Sequence, residues 1–193
     1  MRLVHGFGVN DANYHTQPRV DGKCVTCKAY ETWKGMIKRC YSNRSTKNDP
    51  TYVGVAVCDE WRSFMAFREW WLDNHVDGWW IDKDLITDNR EYSPENCIYV
   101  PAWLNNFTIG RNSARGKYPI GATYDRSNGV FRALCSNPVT GKPSTIGIFK
   151  TPEAAHLAWR ARKLEYAAQM KNEMDAIDAR IYPRVVDIIN RAK

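Results

Sequence analysis

The sequence predicts an α+β protein in two parts, and three features of its patterning carry that expectation. Apolar residues recur at helical spacing in the first third, a strand-strand-helix run occupies the middle, and three short strands divided by glycine turns precede a long amphipathic helix. At 193 residues the chain can bury one good core or two modest ones.

Taken in order, Tyr30, Trp33, Ile37, Cys40 and Tyr41 fall on one helical face, which predicts a helix from about Tyr30 to Tyr41 that ends in the polar run from Ser42 to Pro50. Asp59 is placed to cap a second helix whose Phe64, Phe67 and Trp71 share a side. The aromatic stretch Gly78 to Asp84, bounded by Gly78 and by Thr87-Asp88-Asn89, is expected as a strand, and Cys97 to Val100 as a second. Pro101 closes that strand, and Ala102-Trp103-Leu104-Asn105-Asn106 opens a short helix. The polar, basic run Thr108 to Lys117 suits a joint. Beyond it, strands are expected near Ile120 to Tyr124, Val130 to Ser136 and Ser144 to Phe149, with turns at Ser127-Asn128-Gly129 and Thr140-Gly141-Lys142. Thr151-Pro152-Glu153 then starts a helix with a capping hydroxyl, a proline in the first turn and an acid at the positive dipole end. Its Ala154, Leu157, Ala158, Ala161, Leu164 and Ala168 form a stripe that can lie on the sheet. A last helix is expected from Met174 to Asn190, bent at Pro183.

The net charge of +7 is unevenly spread. From Phe107 to Lys193 there are 15 Lys and Arg against 7 Asp and Glu, whereas residues 1–106 hold 13 against 14. A basic half beside a near-neutral one points either to a polyanion held through released counterions or to a merely solvated surface. No run of 18 apolar residues is present, and the start of the chain lacks the apolar core of a signal peptide, so an intracellular protein is expected. Six cysteines in that setting point to thiols or a metal. Cys24 and Cys27 form a CxxC knuckle that Cys40 and Cys58 could complete as a structural Zn²⁺ site; the alternative makes Cys40, Cys58 and Cys97 small buried hydrophobes.

The middle segment carries the chemistry. Hydrolysing a phosphodiester needs a cation to neutralise the phosphate and the departing oxygen, and a base for the water. Asp82 on the first strand and Asn105 at the start of the helix offer two hard oxygen ligands to Mg²⁺, and a strand pair folded onto a helix can bring them together. The bland alternative for Asp82, Lys83 and Asp84 alone is a surface ion-pair cluster at a turn.

Tyr30-Glu31-Thr32-Trp33-Lys34-Gly35-Met36, Arg39-Cys40-Tyr41, Val57-Cys58-Asp59-Glu60-Trp61 and Ser93-Pro94-Glu95-Asn96-Cys97, with Asp82 and Asn105 at their spacing, resemble the small phage-encoded homing type of HNH endonuclease over roughly residues 27–108. The resemblance implies a ββα-metal module over residues 1–108, a divalent cation, double-stranded DNA as substrate, and for a phage-encoded protein the bacterial cytoplasm as its place of action. It implies Asp82 and Asn105 as metal ligands, with Asn106 one register away, and Asn96 as the asparagine that fastens the loop between the strands. Lys83 stands where the family carries its general-base histidine. A lysine titrates near 10.4 and holds its proton at neutral pH, so it would brace the phosphate and leave the water to Asp84 or to solvent. His75, seven residues upstream of Asp82, is a second candidate base beside its simpler reading as a surface histidine. A catalytically dead descendant that only binds DNA is the main rival.

Ile120-Gly121-Ala122-Thr123, Gly129-Val130-Phe131-Arg132-Ala133 and Ile146 through Trp159, with Thr151-Pro152-Glu153-Ala154-Ala155 inside it, resemble the ethylene-response-factor (Apetala-two) DNA-binding domain over residues 117–171. That family lays a three-stranded sheet, packed on one helix, into the major groove. Thr123 stands where the family has a base-reading arginine, so sequence preference does not transfer. Lys117, Arg126, Arg132 and Lys142 are the expected phosphate or base-edge contacts, and Phe131 is either a DNA contact or core. Residues 172–193 would form the C-terminal helix.

Overall fold

The helical spacing that begins at Tyr30 is realised as α1 (Lys28–Tyr41), which buries Trp33, Met36 and Ile37 completely. In this computed structural model residues 3–42, 47, 50–108 and 117–193 are described; the expected joint at 108–117 falls on residues 109–116, outside them. The architecture is α+β, and the chain divides into two units, Met1–Tyr99 and Val100–Lys193. No helix among the described residues is long and apolar enough to cross a membrane.

In the first unit, α1 and α2 (Phe64–Asn74) pack around Trp33, Trp61, Phe64 and Phe67, all fully buried. The Trp33 indole donates to the Trp61 carbonyl at 2.7 Å, so the largest ring of α1 buries its polar atom with a partner. The start of α2 corrects one expectation. Ser63, not Asp59, is its cap: the Ser63 hydroxyl accepts from the Ala66 N–H at 3.0 Å and donates to Asp11, while Asp59 precedes only a 3₁₀ turn at Glu60–Arg62. A hairpin of β1 (Arg19–Val20) and β2 (Lys23–Cys24) turns through Asp21 and Gly22, both at positive φ. β3 (Ala56–Val57) pairs in parallel with β5 (Glu91–Tyr92), and β4 (Trp80–Asp82) pairs with β6 (Ile98–Val100). The division between units falls inside β6, earlier than the boundary expected at residue 108.

The second unit opens with α3 (Ala102–Thr108), which buries Leu104 and Phe107. β7 (Ala122–Asp125), β8 (Val130–Ser136) and β9 (Pro143–Phe149) form an antiparallel sheet in that order. It packs on α4 (Pro152–Gln169), whose Thr151 cap accepts from the Ala154 N–H at 3.2 Å. The expected single last helix is two. α5 (Lys171–Ile177) stops at Asp178, whose carboxylate takes the Arg180 N–H at 2.8 Å, and α6 (Ile181–Arg191) begins anew. Pro183 therefore stands in the first turn of α6, where a missing N–H costs nothing, and bends no helix.

Candidate functional site

The hook is built by a turn that the Asp82 side chain organises. Asp82 ends β4, and its Oδ1 accepts the N–H groups of Asp84 at 2.7 Å and Leu85 at 3.0 Å, folding the chain back at once. Leu85 follows into the interior and anchors the loop. Burial lifts the Asp82 carboxyl above the ordinary carboxylate range; the two N–H donors oppose that and the Asp84 charge adds to it. A carboxylate with one oxygen held by the backbone and its charge poorly solvated is suited to meeting a cation through its other oxygen.

Asn96 fastens the second side of the loop. Its amide donates to the Glu91 carbonyl at 3.2 Å, while its own N–H and that of Cys97 close on the Ser93 carbonyl. Asn105 lies in α3 of the second unit, half-buried, with Asn106 exposed beside it. The two expected metal ligands are thus carried by different units.

Lys83 departs from the role expected of it. Its side chain is only 7% exposed, with Nζ 2.5 Å from Asp84 Oδ1 and 5.7 Å from the centre of the Tyr92 ring. An ammonium turned under a tyrosine and held by its neighbour is a strut of the turn and is not free to brace a phosphate. Asp84 itself is exposed. His75 is engaged elsewhere, stacked on Trp71 at 4.1 Å, edge-on to Tyr99 at 5.3 Å and 3.8 Å from Asp77.

The four cysteines named for a zinc site lie in different settings. Cys40 belongs to the apolar core of the first unit, Cys58 is half-buried against it, and Cys24 is exposed at the end of β2. Cys27 stands at the N-cap of α1. Among the described residues no group of three or more His, Cys, Asp or Glu side chains comes together that could hold an ion. Burial pushes the Cys40 thiol up to about 11 and raises Cys58 and Cys97 as well. These three behave as small hydrophobes.

In the second unit the strand register sorts the expected contacts. Thr123, Arg132 and Ile148 are cross-strand partners and all three are exposed, so they share the face turned away from α4. Ala133, one residue along β8, is fully buried on the helix side. Phe131 alternates with Arg132 and falls on that same helix side, meeting the rings of Tyr118 and Tyr124 at 5.0 Å each. Phe131 therefore belongs to an aromatic cluster on the side of the sheet opposite Arg132. Arg132 is paired with Asp125 at 2.5 Å, while Lys117, Arg126 and Lys142 are exposed.

The sequence pattern missed Arg39, Tyr52 and Tyr92. An arginine on an amphipathic helix looks solvated in sequence, yet Arg39 is drawn inward between the two tyrosine rings. Its position inside Arg39-Cys40-Tyr41 was visible; its surroundings were not. No protein-family model, curated protein or solved structure matches this chain.

Proposed function

We propose that the protein is a DNA-binding endonuclease of HNH type, hydrolysing phosphodiester bonds of double-stranded DNA with Mg²⁺ or another divalent cation. The observation that carries the reading is the turn at the end of β4. Asp82 shapes it through one oxygen, and Asn96 ties the loop behind it to β5, which is the division of labour such a hook requires. The basic second unit holds the duplex through the Thr123–Arg132–Ile148 face and its flanking Lys117, Arg126 and Lys142. Asp82 is the metal ligand that the first unit offers. Nicking of supercoiled plasmid with Mg²⁺ or with EDTA, alongside Asp82→Ala and Asn105→Ala, tests the assignment.

A second reading, a DNA-binding protein without cutting activity, is favoured by one observation: the residue at the general-base position is buried and paired. Under either reading Lys83→His is expected to bring no gain approaching the ~10²–10⁴ that a positioned general base supplies, because the side chain at this position enters the core. A rise of that size in the nicking rate would show that the position faces the scissile bond.

A further inference from the structure

Within the first unit the Arg39 guanidinium lies 5.8 Å from the Tyr52 ring centre and 5.7 Å from that of Tyr92. Its polar atoms are poorly used. One Nη reaches the Tyr92 hydroxyl at 3.5 Å, the outer limit of a hydrogen bond, and the buried Nε has no partner. Among the described residues no carboxylate pairs with Arg39. The neighbouring cation, Lys83, shares the Tyr92 ring but is neutralised by Asp84. The wall is firmly made: Arg90 donates to the carbonyls of Thr51 and Val53, at 3.0 and 2.6 Å, and so fixes the segment that carries Tyr52.

A guanidinium cannot discharge itself by losing a proton, so a half-buried one without a counter-charge calls for an anion. Two flanking rings set its plane while leaving the N–H fork short of acceptors, and the two free oxygens of a phosphodiester match that fork. We propose that Arg39, positioned by Tyr52 and Tyr92, is a phosphate-binding residue that takes a backbone phosphodiester of the DNA beside the Asp82 hook. The assignment rests on the reading of the protein as a DNA-cutting enzyme, and it adds a substrate contact that the resemblance does not supply.

The test follows the Arg39 Nε–H resonance of the full chain by NMR, with EDTA present so that no cutting occurs. Adding a duplex of about 20 base pairs is expected to move that signal downfield, and inorganic phosphate to move it only weakly. Arg39→Gln is expected to weaken duplex binding about tenfold and to lower the slope of log Kd against log salt by about one. Arg39→Lys restores the slope without the full affinity, since it returns the charge but not the fork. A signal that stays still while the duplex binds overturns the proposal, even if both variants fold poorly. A signal moved by free phosphate and not by the duplex overturns the DNA assignment. Metal-dependent nicking by the wild type, lost in Asp82→Asn, is scored separately, so an unmoved Arg39 beside an active hook rejects this contact alone.

Discussion

Asp82→Ala is expected to lower Mg²⁺-dependent nicking by at least about hundredfold, because even partners of a metal ligand typically cost ~10–100-fold and the proposal makes this residue the ligand itself. Alanine also removes the acceptor for two backbone N–H groups, at about 1–3 kcal/mol for the stranded donors, so lost activity could reflect a lost turn. Asp82→Asn separates the two. The amide oxygen keeps both N–H bonds while the charge proposed to meet the metal is gone. The folded-state titration of Asp82 sits above its unfolded value, so its protonated form is the one that folding favours. The stability tied to that proton is present below the ordinary carboxylate range and is lost as pH rises through the raised value. Without metal, Asp82→Asn is therefore expected to raise Tm at pH 7, and the gain should fade as pH falls towards 4. Mg²⁺ should raise the Tm of the wild type and leave the asparagine variant unmoved. An Asp82→Asn protein that cuts at the wild-type rate, with contaminating nucleases excluded, removes this carboxylate from the chemistry.

What was legible in the sequence follows the range of the force involved. α1, α2, the three strands and the Thr151 cap are local matters of periodicity and capping, and they appear within a few residues of their expected places. Asp59 and Ser63 are both good capping residues, and the choice between them was made by Asp11, 52 positions from Ser63. Pro183 suits a helix start as well as a kink, and Asp178, by taking the Arg180 N–H, decided for the start. At the candidate site, the Asp82 turn and the Asn96 tie lie close in sequence and could be read. The inward swing of Lys83 depends on Tyr92, and the enclosure of Arg39 on Tyr52 and Tyr92, which are brought up by β5 and a 3₁₀ turn that no short pattern announces. Side-chain direction at a turn is a tertiary property.

Gly121→Ala is expected to be the most damaging small substitution in the second unit. The sequence marks Gly121 only as part of a motif, and the structure supplies the reason. It stands at φ +84° just before β7, and a Cβ there would lie 2.1 Å from Cγ of Trp159. That ring is nearly buried on α4 and stacks on His156, whose Nδ1–H donates to the Ile120 carbonyl at 2.8 Å, so neither side of the contact can yield cheaply. A left-handed backbone costs a side chain about 1–2 kcal/mol, and overpacking a tight contact about 1–3 more. Together these take away a large share of the ~5–15 kcal/mol that holds a domain folded, and they should lower its Tm by ~10 °C or more. Gly129→Ala is the matched control, at φ +65° with nothing within 4 Å of the added carbon, and should cost only the backbone part. Amide exchange protection in β8 and α4 reports the second unit separately from the first. Equal losses in the two variants would mean that Trp159 gives way freely, and that the seat of the sheet on α4 is looser than this contact implies.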